Sequence, residues 1–218
     1  MNALTLKIDL HVHTCYSNDG TTTPKQLITY SRKKGLDGVA ITDHDTIQGA
    51  LELANNREII IIPGIEIDTL QGHVLALNVI EPIPLNLTLL ETIEKIHELG
   101  GIAVAAHPSV MLKGLRTRMW RDLNFDAVEV INSAAFPFFL STYLNRKMAV
   151  NLNLPQTGGS DAHCALEIGF AYTLIDADPE IDEITEAIRR GATVPFGKAV
   201  PWGIRFEKEV LSLKRRLQ

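Results

Sequence analysis

Short apolar runs alternate with helix-like segments along most of this chain, and this alternation limits the possible folds more than any other feature. The runs are rich in β-branched residues and are bounded by turn residues, as buried strands are. Nine of them are predicted as strands: LTLKIDL, GVAIT, IIIIPGIEI, HVLALNVI, IAVAA, AVEVI, LPQTGG, AYTLI and ATVPF. Strands that are apolar throughout and separated by helices favour a mainly parallel sheet. The sequence therefore predicts an α/β protein, built either on an open sheet or on a barrel.

Three of the intervening segments have recognisable helix boundaries. In TPKQLITYSRKKG, Thr23 before Pro24 is a favoured helix start, and Gly35 is a favoured stop. LTLLETIEKIHELGG has apolar residues at helical spacing and ends on two glycines, whereas DPEIDEITEAIRRG begins acidic and ends basic. The last segment, GIRFEKEVLSLKRRLQ, is predicted as an amphipathic closing helix. Because no flexible linker separates these elements, we expect residues 1–218 to form a single domain.

Composition and charge narrow the class of protein. The chain has 218 residues, of which 45% are apolar, so a sizeable core is expected. The formal net charge of −5 argues against a surface that wraps duplex nucleic acid, whereas a nucleotide or the end of one strand stays possible. Cys15 and Cys164 are too few for a disulfide scaffold, and no run approaches the roughly 20 apolar residues of a membrane span. We expect a cytoplasmic enzyme or binding domain without membrane contact, and the sequence favours no particular oligomeric state.

Acidic residues and histidines stand at the ends of several predicted strands. In the first strand, side-chain alternation would place Asp9, His11 and His13 on one face, with the apolar residues between them in the core. The same residue types lie near the end of later strands or directly after them: Asp43, His44, Asp45, Glu66, His107, Asp161 and His163. The carboxyl ends of parallel strands meet at one edge of a sheet or barrel. We therefore expect these side chains to share one site.

The combination of imidazoles and carboxylates is typical of sites for divalent transition metals such as zinc, manganese or iron. Their number exceeds what a Ser-His-Asp triad needs, and TGGSDAH has the wrong spacing for a glycine-rich phosphate loop. More than one ion explains this surplus of ligands better than a single ion does. The alternative, hydrogen-bonded core histidines without metal, leaves their clustering at strand ends unexplained. Only His97, within IEKIHELG, is expected to be an ordinary exposed helix residue.

Five motifs, in order, make the chain resemble the PHP family of polymerase and histidinol phosphatase domains. They are DLHVHT, TDHD, GIEI, AHP and GSDAH, and the similarity extends from Asp9 to His163 and into the strands beyond. The resemblance implies a distorted (β/α)7 TIM-like barrel, with two or three metal ions at the mouth formed by the carboxyl ends of its strands. Many free-standing members are phosphoesterases, so the resemblance also implies hydrolysis of phosphoric ester bonds.

The resemblance also implies the metal ligands, position by position. The matching residues form three sites: His11, His13, Glu66 and Asp161 the first, His107 with a bridging Glu66 the second, and Asp19, His44 and His163 the third. Asp19 could instead shape the Asp-Gly turn in which it stands. Asn132 and Ser133 stand where some relatives have a further ligand of the second site, and both bind metals poorly.

Other residues near these motifs are predicted to take part in catalysis or substrate binding. His73 is predicted to contact the substrate phosphate or to support a ligand, and a core histidine paired to backbone is the alternative. Asp43 is a candidate acid or base, or a partner for a metal-bound imidazole. Lys113 and Arg116 are predicted to bind substrate phosphate, unless they lie on a solvated helix face. Asp45 is expected to cap the helix that follows it.

The predicted function is hydrolysis of a phosphomonoester or phosphodiester of a small nucleotide or oligonucleotide, through water activated by the metal ions. A histidinol-phosphate phosphatase is the second possibility, although relatives with that activity are usually longer. A non-catalytic binding or regulatory domain stabilised by metal is the third. Structural zinc sites close with four ligands, and the larger ligand set here argues against that third possibility.

Overall fold

The computed structural model describes residues 4–111 and 123–216. The predicted phosphate-binding residues Lys113 and Arg116 lie outside the described residues. Nine strands are present in the described part: β1 Leu4–Val12, β2 Gly38–Ile41, β3 Ile60–Thr69, β4 Gly72–Leu77, β5 Ile102–Ala105, β6 Ala127–Asn132, β7 Gln156–Gly159, β8 Ala171–Ala177 and β9 Thr193–Gly197. Each coincides with one of the apolar runs predicted as strands.

The same part of the chain contains seven α-helices: α1 Pro24–Lys33, α2 Gln48–Leu53, α3 Leu89–Glu98, α4 Pro108–Met111, α5 Phe138–Leu152, α6 Ile181–Arg189 and α7 Trp202–Arg216. The helices predicted from their boundaries, α1, α3 and α6, are present, and so is the closing helix α7. Thr23 and Thr88 cap α1 and α3, each by accepting a hydrogen bond from the backbone N–H three residues later. The long helix α5 is not among the predicted elements.

The strands form one sheet in the order β7-β6-β5-β4-β3-β2-β1-β8-β9. Their pairing shows that seven strands run in one direction and that β4 and β8 run against them. Only Leu70 and Gln71 separate β3 from β4, and a connection of this length permits only an antiparallel hairpin. The predicted parallel sheet is therefore correct for most strands and needs correction at β4 and β8.

The two ends of the sheet approach each other, so that the sheet forms a nearly closed barrel. Thr173 of β8 accepts a hydrogen bond from the N–H of Gly158 in β7 (2.8 Å) and donates one to its carbonyl (2.9 Å). Just beyond β7, the N–H of Asp161 donates to the carbonyl of His11 at the end of β1 (2.8 Å). The α/β barrel implied by the resemblance is confirmed, and part of its closure lies among the predicted ligands.

A β-bulge interrupts β1 between Asp9 and Val12. Ile8 and Leu10 belong to the apolar cluster that the strands share with α6, whereas Val12 belongs to the cluster between the sheet and the other helices. Simple alternation predicts that the apolar residues of β1 lie on one face of the strand, and the structure shows that they do not. Because the bulge changes which way side chains point, His11 can face the barrel mouth while Asp9 points elsewhere.

Candidate metal centre

The eight residues predicted as metal ligands lie together at the mouth of the barrel. Two of them lie in β1 and β3, and the other six lie in the segments that follow β1, β2, β5 and β7. Each of them belongs to a group of side chains whose donor atoms lie within 4.8 Å of one another: His11, His13, Asp19, His44, Glu66, His107, Asp161 and His163. The structure thus brings together residues far apart in the sequence, while their role as ligands stays a prediction.

Four donor atoms form the first group, at the centre of the mouth. His11 Nε2 lies 3.1 Å from both His13 Nε2 and Glu66 Oε2. Asp161 Oδ1 lies 3.4 Å from His11 Nε2 and 3.3 Å from His13 Nε2. A tetrahedron of ligands about 2.0–2.1 Å from a zinc ion has edges of about 3.3–3.4 Å. The spacing of these donors therefore fits a small divalent cation.

A second group surrounds the other oxygen of Glu66. Glu66 Oε1 lies 3.0 Å from His107 Nε2 and 3.0 Å from His73 Nδ1. The second nitrogen of His73, Nε2, lies 3.2 Å from Asp68 Oδ1. The structure thus places His73 against the predicted ligand Glu66, which agrees with a role in supporting a ligand and not with a core histidine paired to backbone.

The third group is nearest to solvent. Asp19 Oδ2 lies 3.0 Å from His163 Nε2 and 3.7 Å from His44 Nε2, and His13 completes the group. The hydroxyl of Ser17 donates to Asp19 Oδ1 (2.8 Å) and accepts from the N–H of His44 (3.3 Å), so it fixes both residues. The Asp19 carboxylate therefore faces the histidines and does more than shape a turn.

Glu129 is a member of the centre that the sequence analysis does not identify. It is buried in β6, and its Oε1 lies 2.9 Å from His11 Nδ1 while its Oε2 accepts from the N–H of His107 (2.9 Å). Asn132 donates to Glu129 Oε2 (3.0 Å) and to Asp161 Oδ2 (3.1 Å). Glu129 therefore orients the His11 ring through Nδ1, and Nε2 of that ring faces the first group.

Asp9 and Asp43 hold backbone segments and lie outside the donor groups. Asp9 accepts from the N–H groups of Ser160 and Gly169, both at 2.8 Å, and burial raises its pKa to about 6. Asp43 accepts from the N–H (2.6 Å) and the hydroxyl (2.7 Å) of Thr14, and burial raises its pKa as well. Within the described residues the Asp43 side chain has no hydrogen bond to a histidine, so its predicted acid–base role stays without structural support.

Two minor predictions are wrong. Asp45 does not cap a helix, because α2 begins after Ile47 without a side-chain cap and Asp45 accepts from the N–H of Asp68 (3.2 Å). His97 is not simply exposed, because its Nε2 lies 2.8 Å from Asp126 Oδ2 and its side chain is 29% exposed.

The backbone is strained at two of the predicted ligands. His107 has φ of 30° and Asp161 has φ of 55°, in a region that non-glycine residues rarely adopt. Such conformations cost on the order of 1–3 kcal/mol and persist where the surroundings require them. The strain therefore supports a functional reason for the positions of these two side chains.

The electrostatics of the mouth favour a cation. Burial alone would lower the pKa of His13, but hydrogen bonds with Asp161 and Glu66 raise it to about 9. Burial would raise the pKa of Glu66, yet the charge of His11 and the hydrogen bond with His107 hold it well below its usual range. In the protein without metal the carboxylates thus stabilise protonated imidazoles. Divalent ions would take the place of these protons, so metal binding should release them.

The chain belongs to the PHP domain family. The family model of the PHP domain matches residues 9–133, which is more than half of the chain. A second model, described as PHP-associated, matches residues 144–193. These matches confirm the resemblance that the five motifs indicate.

Two proteins with similar sequences illustrate the range of relatives. An uncharacterized protein of Methanocaldococcus jannaschii is 41% identical over 142 residues, which are 59% of this chain and 82% of that protein. A 5′-3′ exoribonuclease of Haemophilus influenzae is 32% identical over 108 residues, which are 46% of this chain and 39% of the enzyme.

Solved structures show the same fold at low identity. A two-domain protein of Bacteroides vulgatus, containing a predicted PHP-like metal-dependent phosphoesterase, has a TM-score of 0.74 at 19% identity, over 90% of this chain and 66% of that chain. The lesion-specific endonuclease Q of Pyrococcus furiosus has a TM-score of 0.69 at 20% identity, over 88% of this chain and 58% of that chain. The chain thus spans about two thirds or less of these two proteins.

Membership in the PHP domain family and the geometry of the mouth agree on a centre that is able to bind metal ions. The His, Asp and Glu groups at the mouth are able to bind metal ions. Among the helices of the described residues, none combines the length and apolar character that crossing a membrane requires.

Proposed function

We propose that this protein hydrolyses a phosphomonoester or phosphodiester bond of a small nucleotide or oligonucleotide with the help of divalent metal ions. The position of Glu66 carries the proposal. Its Oε2 faces His11 and His13. Its Oε1 faces His73 and His107. A carboxylate shared in this way can hold two cations close together, which is the arrangement of two-metal phosphoesterases.

The donor groups suit two or three ions of zinc, manganese or iron. When bound, such ions lower the pKa of water and stabilise negative charge on phosphoryl oxygens. In this proposal His73 is a ligand of the second site, where Asn132 and Ser133 supply no good donor. Its contact with Asp68 would then orient the ring, as outer carboxylates commonly orient metal-bound histidines.

The chain's own residues prepare the mouth for an anionic substrate. The carboxylates of Glu66, which is buried, and Asp161 would balance part of the positive charge of the ions, and Glu129 fixes the ring of His11. Positive charge that remains uncompensated would attract a phosphate group. Lys113 and Arg116 stay predicted substrate contacts, and Asp43 enters the proposal only as a positioning residue for the segment after β1.

Two comparisons support a nucleotide as the substrate class. One relative is named as a 5′-3′ exoribonuclease, and one protein of similar fold is a lesion-specific endonuclease. The net charge of −5 favours a short strand or a strand end over a long duplex. The proposal places the protein in the cytoplasm, as the sequence analysis does.

The test is a hydrolysis assay with protein loaded in turn with zinc, manganese and iron. The substrates are nucleoside monophosphates, nucleoside 3′,5′-bisphosphates, 5′-phosphorylated single-stranded oligonucleotides and histidinol phosphate. We expect metal-dependent turnover of at least one nucleotide substrate, and loss of that turnover in Asp161→Asn. Asp176→Asn is the matched control, because Asp176 is exposed at the opposite end of the barrel.

Other outcomes would replace the proposal. Turnover of histidinol phosphate alone would identify that phosphatase. Metal binding without turnover of any substrate would favour the non-catalytic domain. Full activity of Asp161→Asn would remove Asp161 from the centre.

A further inference from the structure

A cluster of lysines and aromatic rings lies on the flank of the barrel, apart from the donor groups at its mouth. It lines a cavity of about 380 Å³ beside β1, β8, β9 and the end of α1. This cavity, called the flank site below, is lined by three lysines and three aromatic residues: Lys7, Lys34, Lys198, Phe170, Tyr172 and Phe196.

The ammonium groups of the flank site have no carboxylate within ion-pair distance among the described residues. In residues 4–111 and 123–216, the lysines that form ion pairs are Lys95 and Lys208, and none of the three flank lysines is among them. Burial lowers the pKa of Lys34, and the neighbouring charges of Lys198 and Lys7 lower it further. Since the chain as a whole is acidic, this concentration of unpaired cations indicates an anionic ligand.

The ammonium groups lie over aromatic rings. Lys7 Nζ is 4.4 Å from the ring centroid of Tyr172, and Lys34 Nζ is 4.3 Å from that of Phe170. The ring of Phe196 stacks on Tyr172 at 5.9 Å and remains 44% exposed. Phe196 is the exposed ring of the three, whereas Phe170 is buried. An exposed ring beside cations is a combination that binds single-stranded nucleic acid, because a base stacks on the ring while phosphates contact the cations.

The flank site is close to the metal centre. Gly169, which precedes Phe170, donates its N–H to Asp9 (2.8 Å), and Asp9 stands two residues before His11 in β1. Two strand residues span about 6.6 Å. The flank site therefore lies within about 20 Å of the donor groups, a span of about six stacked nucleotides at about 3.4 Å each.

We propose that the flank site binds the phosphate backbone and one base of a single-stranded oligonucleotide whose scissile bond lies at the metal centre. The inference rests on the proposed function for that bond and adds a subsite several nucleotides away from it. The preferred substrate would then be an oligonucleotide long enough to reach from the metal centre to the flank site.

The experiment measures binding of a fluorescein-labelled, phosphorothioate-protected hexathymidylate to the metal-loaded protein by fluorescence anisotropy at several salt concentrations. In the double variant Lys34→Gln, Lys198→Gln, we expect the Kd to rise about tenfold or more. The slope of log Kd against log salt should fall by about 1.4, at about 0.7 for each lost phosphate contact. Phe196→Leu keeps an apolar side chain without a π face, so binding should weaken at least about fivefold at an unchanged slope.

The matched control is Lys147→Gln, which removes an exposed lysine from α5. Equal loss of affinity in the control and the double variant, or no loss in the double variant, would overturn the flank site. Displacement of the hexanucleotide from the lysines by a dinucleotide or inorganic phosphate at similar concentration would show a small-anion site and would also overturn it. If the lysine variants weaken binding but no nucleotide is hydrolysed, the proposed function fails while the oligonucleotide site stands. If nucleotides are hydrolysed and the variants bind like the wild type, the flank site alone fails.

Discussion

The side chain of Glu129 contacts two of the predicted metal ligands and could itself belong to a donor group with them. It has the two contacts that fix a pair of predicted ligands, one to the ring of His11 and one to the backbone of His107. A carboxylate that holds Nδ1–H of an imidazole orients the ring and makes the other nitrogen a better metal donor. A conservative substitution of Glu129 should therefore change the affinity for the metal ions.

We expect Glu129→Gln to lower the affinity for the first metal ion about 10–100-fold, because the amide keeps the size of the side chain but loses its charge. Isothermal titration of the metal-free protein measures this affinity, and circular dichroism checks the fold. Glu186→Gln, at an exposed position on α6, is the control. Unchanged affinity in Glu129→Gln would show that His11 needs no such support.

Single residues differ in how well the sequence predicts them. The histidines at the mouth are predictable because they follow apolar strands directly, as His107 does. Glu129 is missed because it lies within AVEVI, where the pattern indicates only a strand; an acid inside a buried strand is the signal that could have identified it. Asp9 is wrongly grouped with His11, because the β-bulge between them leaves no mark in the sequence.

At the level of elements, α3 depends on a reciprocal cap. The Thr88 side chain accepts from the N–H of Glu91 (3.3 Å), and the Glu91 carboxylate accepts from the N–H of Thr88 (2.8 Å). This arrangement satisfies two N–H groups at the start of the helix that otherwise have no partner. The apolar face of α3 packs into the core through Ile93 and Ile96. Loss of the cap should therefore lower the free energy of unfolding of the whole protein.

We expect Thr88→Ala to lower the free energy of unfolding by about 1 kcal/mol, because the cap is lost. Urea unfolding followed by circular dichroism measures the change. Thr88→Ser keeps the hydroxyl and should restore most of the stability. A loss in the serine variant as large as in the alanine variant would point to packing of the threonine methyl group instead.

Two features are not predicted from the sequence: the antiparallel pairing in the hairpin of β3 and β4, and helix α5. The strands β3 and β4 are predicted, but their antiparallel pairing is not, although the two-residue connection already requires it. Helix α5 is missed because exposed apolar residues such as Phe139, Leu140 and Tyr143 hide the stripe that packs on the sheet. The other helices are recognised because their outer faces are polar and their ends are marked.

At the scale of the whole molecule, α7 contacts three segments at the mouth of the barrel. Arg205 donates to the carbonyls of Ser133 and Ala134 after β6. Lys208 lies 3.9 Å from Glu167, which accepts from the N–H of His163. Near the end of α7, Arg215 donates to backbone carbonyls of the segment after β1: Cys15, Ser17 and Gly20. The segment that holds Asp19 is therefore anchored by the last described turn of the chain.

We expect Arg215→Met to weaken the third metal site selectively, because Asp19 loses the support of its segment while the first two groups keep theirs. Equilibrium dialysis followed by elemental analysis should show the weakest-bound ion lost at a metal concentration about tenfold higher than in the wild type. Arg190→Met, at an exposed arginine after α6, is the control. Loss of all ions together would show that Arg215 supports the whole barrel.

Metal binding should stabilise the folded barrel, because the donor groups exist only when the strands are assembled. At a metal concentration of 100 times Kd, one ion adds about 2.7 kcal/mol. For a chain of this size we expect the melting temperature to rise by about 5–10 °C. Thermal unfolding with metal and with a chelator measures the difference. Glu66→Gln should lose most of the shift, and a wild type that is indifferent to chelator would contradict the metal centre.

The contact between β1 and the segment after β7 brings together two pairs of donors from distant parts of the chain. His11 and His13 lie on one side, and Asp161 and His163 lie on the other, joined by the hydrogen bond from the N–H of His13 to the carbonyl of Ala162 (2.9 Å). During synthesis the ribosome releases the first pair long before the second. A nascent chain that ends before residue 161 therefore lacks two of the eight predicted ligands, Asp161 and His163, so the complete chelate cannot form until the segment after β7 has been synthesised.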